Sequence, residues 1–320
     1  MGAILRMGRF LAPFAAVAAA GYGLEAGDLA SPYWVQIFEL ACITAISALG
    51  LNVIYGFTGL FSLGHAAFYG IGAYTAAFLM KWQGGESQLY FLGSLLAGGS
   101  ATALVAWLMG LPTLRLTSDY LGIATLGFGI IMKVLFDNAD SFLPPLGGAR
   151  GMTGIAKLTN SAWAVMALGI AILVVRNLVS SSYGRALISV REDEIAAETL
   201  GIDTFRYKMA GFVLGCGLAG VAGGLYAHLY AFLHPSNFDF FKSVDVLVIV
   251  VLGGLGNMSG TLVASFGWIF LLEGLRVILP PGYIELRWVL IPVLLIATML
   301  LRPQGLFGTR EIPLLMGGRE

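Results

Sequence analysis

Charge is scarce in this chain. Only 11% of its 320 residues are Asp, Glu, Lys or Arg, where a soluble globular domain carries about a quarter. The 18 basic and 18 acidic residues cancel, so no basic footprint for nucleic acid exists and no nucleic-acid partner is expected. Cysteine is nearly absent. Cys42 and Cys216 each lie in an apolar stretch and read as small apolar filler, which leaves no disulfide framework. Three histidines, His65, His228 and His234, are too scattered to mark a metal centre, and no metal ligands are expected. No GxxxxGK(S/T) phosphate loop occurs. The chain therefore cannot hydrolyse ATP by that route, and no cofactor is expected in it.

Apolar residues fill the space that charge vacates. Hydrophobic residues make up 58% of the chain, and mean hydropathy is +0.85. Ten apolar segments can be marked, at roughly 8–24, 34–56, 63–80, 89–111, 119–136, 161–179, 207–230, 244–256, 259–279 and 286–301. Most approach the ~20 residues that cross a hydrocarbon core. Backbone groups cannot go unpaired in lipid, so such runs must be helical. The expected fold class is all-α: a polytopic transmembrane bundle of eight to ten segments, a single domain over 1–320 embedded in a lipid bilayer. Glycine is abundant at 44 residues, about twice ordinary usage. It lets membrane helices approach closely and break where they line a cavity. Residues 6–24 also carry signal-peptide features, Arg6 and Arg9 ahead of an apolar stretch with Ala18-Ala19-Ala20 as a cleavage site. A first transmembrane helix is preferred, because the spans that follow need an inserted start.

Segment 244–256 is too short for an ordinary span and reads as a broken helix or a re-entrant turn. Basic residues favour the former. With ten crossings, the cytoplasmic side holds Arg6, Arg9, Arg115, Arg176, Arg185, Arg191, Arg206, Lys208, Arg302, Arg310 and Arg319. The outer side holds Lys81, Lys133, Arg150, Lys157, Lys242, Arg276 and Arg287. The excess lies inside, as the positive-inside rule requires, and both termini are expected in the cytoplasm.

One stretch breaks the apolar rule. Ser180–Lys208 reads SSSYGRALISVREDEIAAETLGIDTFRYK and gathers Arg185, Arg191, Glu192, Asp193, Glu194, Glu198, Asp203, Arg206 and Lys208. Ile188, Arg191, Ile195, Thr199 and Ile202 fall near one face at helical spacing. Glu192-Asp193-Glu194 suits the start of a short helix, where the dipole favours negative charge. Ala196-Ala197 keeps it slim, and Gly201 ends it as a left-handed cap. Such a helix fits a groove on a cytosolic partner. A surface-lying amphipathic helix is the alternative, but it would favour a basic polar face near anionic lipid.

Arg185-Ala186, Arg191-Glu192-Asp193-Glu194, Ala196-Ala197 and Gly201-Ile202 together resemble the coupling motif of branched-chain amino acid ABC transporter permeases, of the LivM type. Ser62-Leu63-Gly64-His65-Ala66-Ala67-Phe68 with Gly70-Ile71-Gly72-Ala73-Tyr74 resembles that family's N-terminal signature. Gly151, Thr153-Gly154-Ile155 and Leu252-Gly253-Gly254-Leu255-Gly256 with Gly260 resemble its outer-loop and C-terminal patterns. The resemblance covers roughly residues 35–305. Asn257-Met258-Ser259 and Leu114-Arg115-Leu116-Thr117-Ser118-Asp119 depart from the family's usual residues. The resemblance implies an importer of the bacterial inner membrane. Its partners would be two cytosolic ABC ATPase subunits that bind the ATP, a second LivH-like permease and a periplasmic solute-binding protein. It makes 183–202 the coupling helix, with Arg185, Arg191, Glu192, Asp193, Glu194, Ala196, Ala197 and Gly201 serving the ATPase. Branched-chain amino acids, or a small polar solute such as urea or an amide, would be the cargo.

Two glycine-interrupted segments lie in opposite halves, Tyr55–His65 and Leu252–Thr261. Such a pair points to a translocation path. Asn52, Thr58, Ser62, His65, Gly253, Gly254 and Asn257 are its candidate residues; bonding of Asn52 and His65 to backbone freed by the breaks is the alternative. Gly211/Gly215 and Gly220/Gly224 form GxxxG pairs that read as close packing. An ion-coupled carrier or a channel remains a rival function. A carrier would use a carboxylate at the membrane midplane, and Glu39, Asp119, Asp245 and Glu273 all fall near span ends.

Overall fold

The computed structural model describes residues 31–84, 87–116, 118–278 and, beyond them, 292–293, 296–297, 299–302, 304–308 and 311. The expected first span, 8–24, and most of the last, 286–301, lie outside the described residues. The fold is all-α: among the described residues there is no strand, only an isolated bridge between Met152 and Leu233.

The helices run α1 Pro32–Leu51, α2 His65–Gln83, α3 Gln88–Thr113, α4 Ser118–Asp137, α5 Ser161–Ser180, α6 Ser182–Glu192, α7 Glu194–Thr199, α8 Thr204–Tyr230, α9 Phe240–Gly253 and α10 Met258–Ile278. A wide π turn, Asn52–Phe57, continues α1. Among the described residues, six helices are long and apolar enough to cross a membrane: α1 with its π turn, α3, α4, α5, α8 and α10. α2 and α9 are not among them. The 14 residues of α9 reach about 21 Å, short of the hydrocarbon thickness.

α8 is the hub, packed against α1, α2 and α3. Small residues make this possible. A Cβ on Gly50 of α1 would stand 2.4 Å from the Gly215 carbonyl oxygen, and one on Gly72 of α2 would stand 2.1 Å from that of Gly220. The glycine pairs of α8 thus serve close packing, because backbones touch where any side chain would clash.

Two helices start inside the bundle. After Phe57 the chain climbs back without helix before α2 begins. There the His65 Nε2 lies 3.0 Å from the Ser47 carbonyl of α1, and the Phe68 ring meets Phe212 of α8 edge-on. Beyond α8, residues 231–239 fold inward, and Phe238 is buried against the rings of Tyr69, Tyr74 and Phe136. α9 then starts beside α2, with the Ala66 N–H donating to the Ser243 hydroxyl at 2.9 Å.

Candidate functional site

The charged stretch is built from three capped starts. The Ser181 hydroxyl accepts the Gly184 N–H at 3.2 Å and opens α6. The Asp193 carboxylate accepts the Ala196 N–H at 3.0 Å and opens α7. Asp203 accepts the Arg206 N–H at 3.2 Å and opens α8. Gly201, at φ +81°, supplies the left-handed turn between α7 and α8. The single helix expected over 183–202 is therefore two. Asp193 leaves the helical region, φ −155° and ψ 107°, because a capping carboxylate satisfies N–H groups that a continuous helix would not free. The break splits the expected stripe. Ala197 is buried, whereas Ile195 and Leu200 are exposed at 76% and 80%. Glu194 pairs with Lys208 of α8, and Thr204 donates to Glu198 at 2.8 Å. Arg185 and Ala196 are exposed.

Arg191 turns the other way. Its Nη1 donates to the Gly56 carbonyl in the π turn at 2.6 Å, while its Nε donates to Glu192 at 3.0 Å. The slot it fills is made by glycine. A Cβ on Gly59 would stand 2.9 Å from the arginine Cγ, and one on Gly256 would stand 2.8 Å from Nη1. Arg191 thus touches both glycine-interrupted segments at once.

Those two segments are also joined directly. The Asn52 side chain, fully buried, accepts the Gly256 N–H at 2.9 Å and donates to the Asn257 carbonyl at 3.1 Å. Gly56 has no room for a side chain, since its Cβ would stand 1.9 Å from Asn52 Oδ1. Asn257 accepts the Gly260 N–H at 2.7 Å and donates to the Gly308 carbonyl at 2.9 Å. Gly253 and Gly254 lie in the same turn, with Gly254 at φ +111°. The segment after α10 returns to this place. Leu306 N–H bonds the Leu252 carbonyl at 2.8 Å. Glu311 caps α10, accepting the N–H groups of Met258 and Ser259 at 2.6 and 3.0 Å and the Ser259 hydroxyl.

The candidate path residues therefore separate. Asn52, Gly253, Gly254 and Asn257 come together at the end of the bundle where the charged stretch sits. Thr58 lies nearby, donating to the Val53 carbonyl at 2.8 Å. Ser62 and His65 lie deeper, at the start of α2, and both are buried. Asn52 and His65 bond to backbone, but Asn52 serves the far break, a pairing invisible in its own local sequence. Sequence reasoning missed Glu311 altogether. It also placed Asp245 at a span end. Here Asp245 lines a cavity of about 940 Å³ with Trp268, the middle of α10. On α10, Glu273 and Arg276, three residues apart, form an ion pair at 3.5 Å.

The family described as "Branched-chain amino acid transport system / permease component" matches residues 33–299. The chain belongs to this family. It is 34% identical over 306 positions to the high-affinity branched-chain amino acid transport system permease protein LivM of Escherichia coli K12, covering 85% of this chain and 69% of that protein. Against LivH of Salmonella typhimurium the identity is 26%, covering 84% and 92%. BraD of Pseudomonas aeruginosa is likewise 26% identical, with the same coverage. The greater identity sets this permease on the LivM side of the family, and its apolar helices make it a multi-pass membrane protein. No solved structure matches.

Proposed function

We propose that the chain is the LivM-type half of an ABC importer for branched-chain amino acids. A LivH-like permease pairs with it, two cytosolic ATPases bind and hydrolyse the ATP, and a periplasmic binding protein delivers the solute. The observation that carries this reading is the Arg191–Gly56 bond. It roots an exposed, charged two-helix loop in the broken segments of the membrane bundle, so a push on α7 by a cytosolic partner reaches α1 and the start of α10. Ile195 and Leu200 form the apolar edge that such a partner would cover. Glu192, Asp193 and Glu194 lead into that edge, and Arg185 is exposed on α6. The loop faces the cytoplasm in this reading. The C-terminal segment lies at the same end, tied to Leu252, Asn257 and Ser259, which supports a cytoplasmic C-terminus and an even number of crossings after the loop.

Gentle detergent co-purification of the tagged chain, with mass spectrometry, tests the assembly. A phosphate-loop ATPase and a related permease are expected, and leucine uptake is expected in vesicles holding the set. Recovery of the chain alone, folded and monodisperse, would refute the importer and favour a carrier or channel.

A further inference from the structure

α9 begins in the interior, and empty volume lies on both sides of its first turn. On one side is a cavity of about 280 Å³ reaching Ala66 and Ala67 in the first turn of α2, with Lys133 of α4 on its wall. On the other is the cavity of about 940 Å³ toward α10, within the roughly 300–1,000 Å³ of small-molecule sites. Asp239 and Phe241 border both.

The larger cavity has a composition unlike the rest of the bundle. Asp239, Lys242 and Asp245 supply charge, Ser236 and Asn237 neutral polar groups, and Trp268 an aromatic wall. Lys242 and Asp245 attract one another but do not close a direct contact. Among the described residues, no ion pair within 4.0 Å involves the Lys242 ammonium or the Asp245 carboxylate. Asp239 uses one oxygen to cap α9 through the Lys242 N–H at 3.3 Å. The Trp268 N–H, deeply buried, has no acceptor among the described residues. A charge inside a membrane bundle persists where water, a counter-ion or a passing ligand meets it.

We propose that this cavity holds the solute in transit as a zwitterion, its carboxylate at Lys242 and its ammonium at Asp245, with Val244 and Val248 against its side chain. The sign of the site selects this ligand class. A phosphate headgroup at Lys242 would meet two carboxylates and be repelled, whereas an amino acid brings both charges. The proposal rests on the importer reading, since only a transported solute must visit the bundle interior.

The test uses the complete transporter in proteoliposomes with leucine-loaded binding protein, reading leucine uptake per ATP hydrolysed. Lys242→Met and Asp245→Asn are each expected to lower that ratio by about tenfold or more. A wild-type ratio in both variants overturns the site. Absence of leucine uptake by the wild-type transporter overturns the importer reading instead. A second probe does not depend on those variants assembling. Asn237→Cys in the same complex is labelled with N-ethylmaleimide, because native Cys42 and Cys216 are fully buried. Labelling is expected to slow several-fold when leucine-loaded binding protein and ATP drive turnover. Labelling that ignores turnover, or that slows with anionic lipid and no leucine, overturns the proposal.

Discussion

The bundle breaks its helices in two places, and the two are finished in opposite ways. At the loop end, the turns after Gly56 and Gly253 are closed by protein. Asn52, Asn257, Arg191 and Glu311 each bond backbone that the breaks release. In the interior, where α2 and α9 begin, polar side chains border empty volume, and Lys242 and Asp245 go without ion-pair partners among the described residues. A closed break transmits force, because displacing one strand displaces all that are bonded to it. An open break admits a ligand. The division assigns transmission to the loop end and passage to the interior; in sequence, glycines mark the loop-end breaks and the start of α2, while residues 231–243, where α9 begins, contain none.

The comparison fails first at Gly56 if it is wrong. Gly56→Val puts carbon into the space of Asn52 Oδ1 and the Gly256 N–H, a backbone clash expected to cost more than about 4 kcal/mol. Loss of folded, membrane-inserted protein on fluorescence-detected size exclusion is the expected result. A normal yield with normal uptake would mean that the two breaks separate freely and form no unit.

Arg191 comes next in size. Arg191→Ala removes a side chain that joins the loop to both breaks, and leaves Ile195, Leu200 and the Glu194–Lys208 pair in place. The expected outcome is uptake reduced by about tenfold or more with ATPase subunits still co-purifying. Arg191→Lys should recover part of it, since one donor suffices for the Gly56 carbonyl but a lysine lacks the second fork. Loss of ATPase binding in Arg191→Ala would make the arginine a docking residue and not a transmitting one.

Asn257→Leu sharpens the same point with a smaller effect. It strips the Gly260 N–H and the Gly308 carbonyl of their bonds, at about 1–3 kcal/mol for each buried group left unpaired. Uptake should fall while the ATPases remain bound. Unchanged uptake would leave Asn257 a structural residue only.

Much of this was legible in sequence. Six crossing helices among the described residues followed from apolar length, whereas the segments expected at 63–80 and 244–256 became helices that start inside the bundle; the charged stretch stood out because charge is rare elsewhere. Its left-handed end at Gly201 was legible, while the caps Ser181 and Asp203 emerge only in the structure. The break at Asp193 was misread because three consecutive acidic residues suit a helix start at several registers, and only capping geometry chooses among them. Asn52 and Arg191 looked local, yet their partners lie 204 and 135 residues away, beyond any spacing rule. Asp245 was judged by its distance from a segment boundary. That fails where a helix begins inside the bundle, because chain position then no longer measures depth.

Glu311 offers the finest test of the closed break. Its carboxylate does for α10 what Asp193 does for α7, but from more than 50 residues away. A cap from a distant segment also fastens that segment. Glu311→Ala should cost about 1 kcal/mol, the usual worth of an N-cap, and lower the apparent melting temperature of the purified complex by about 2–4 °C. Glu311→Gln keeps an acceptor oxygen and should lose less, with the lost charge at the helix start accounting for the remainder. If the alanine variant melts as wild type yet couples poorly, the segment acts in transmission and not in holding α10. If it melts lower and couples normally, Glu311 is a fastening alone, and transmission at this end runs through Arg191 and Asn52.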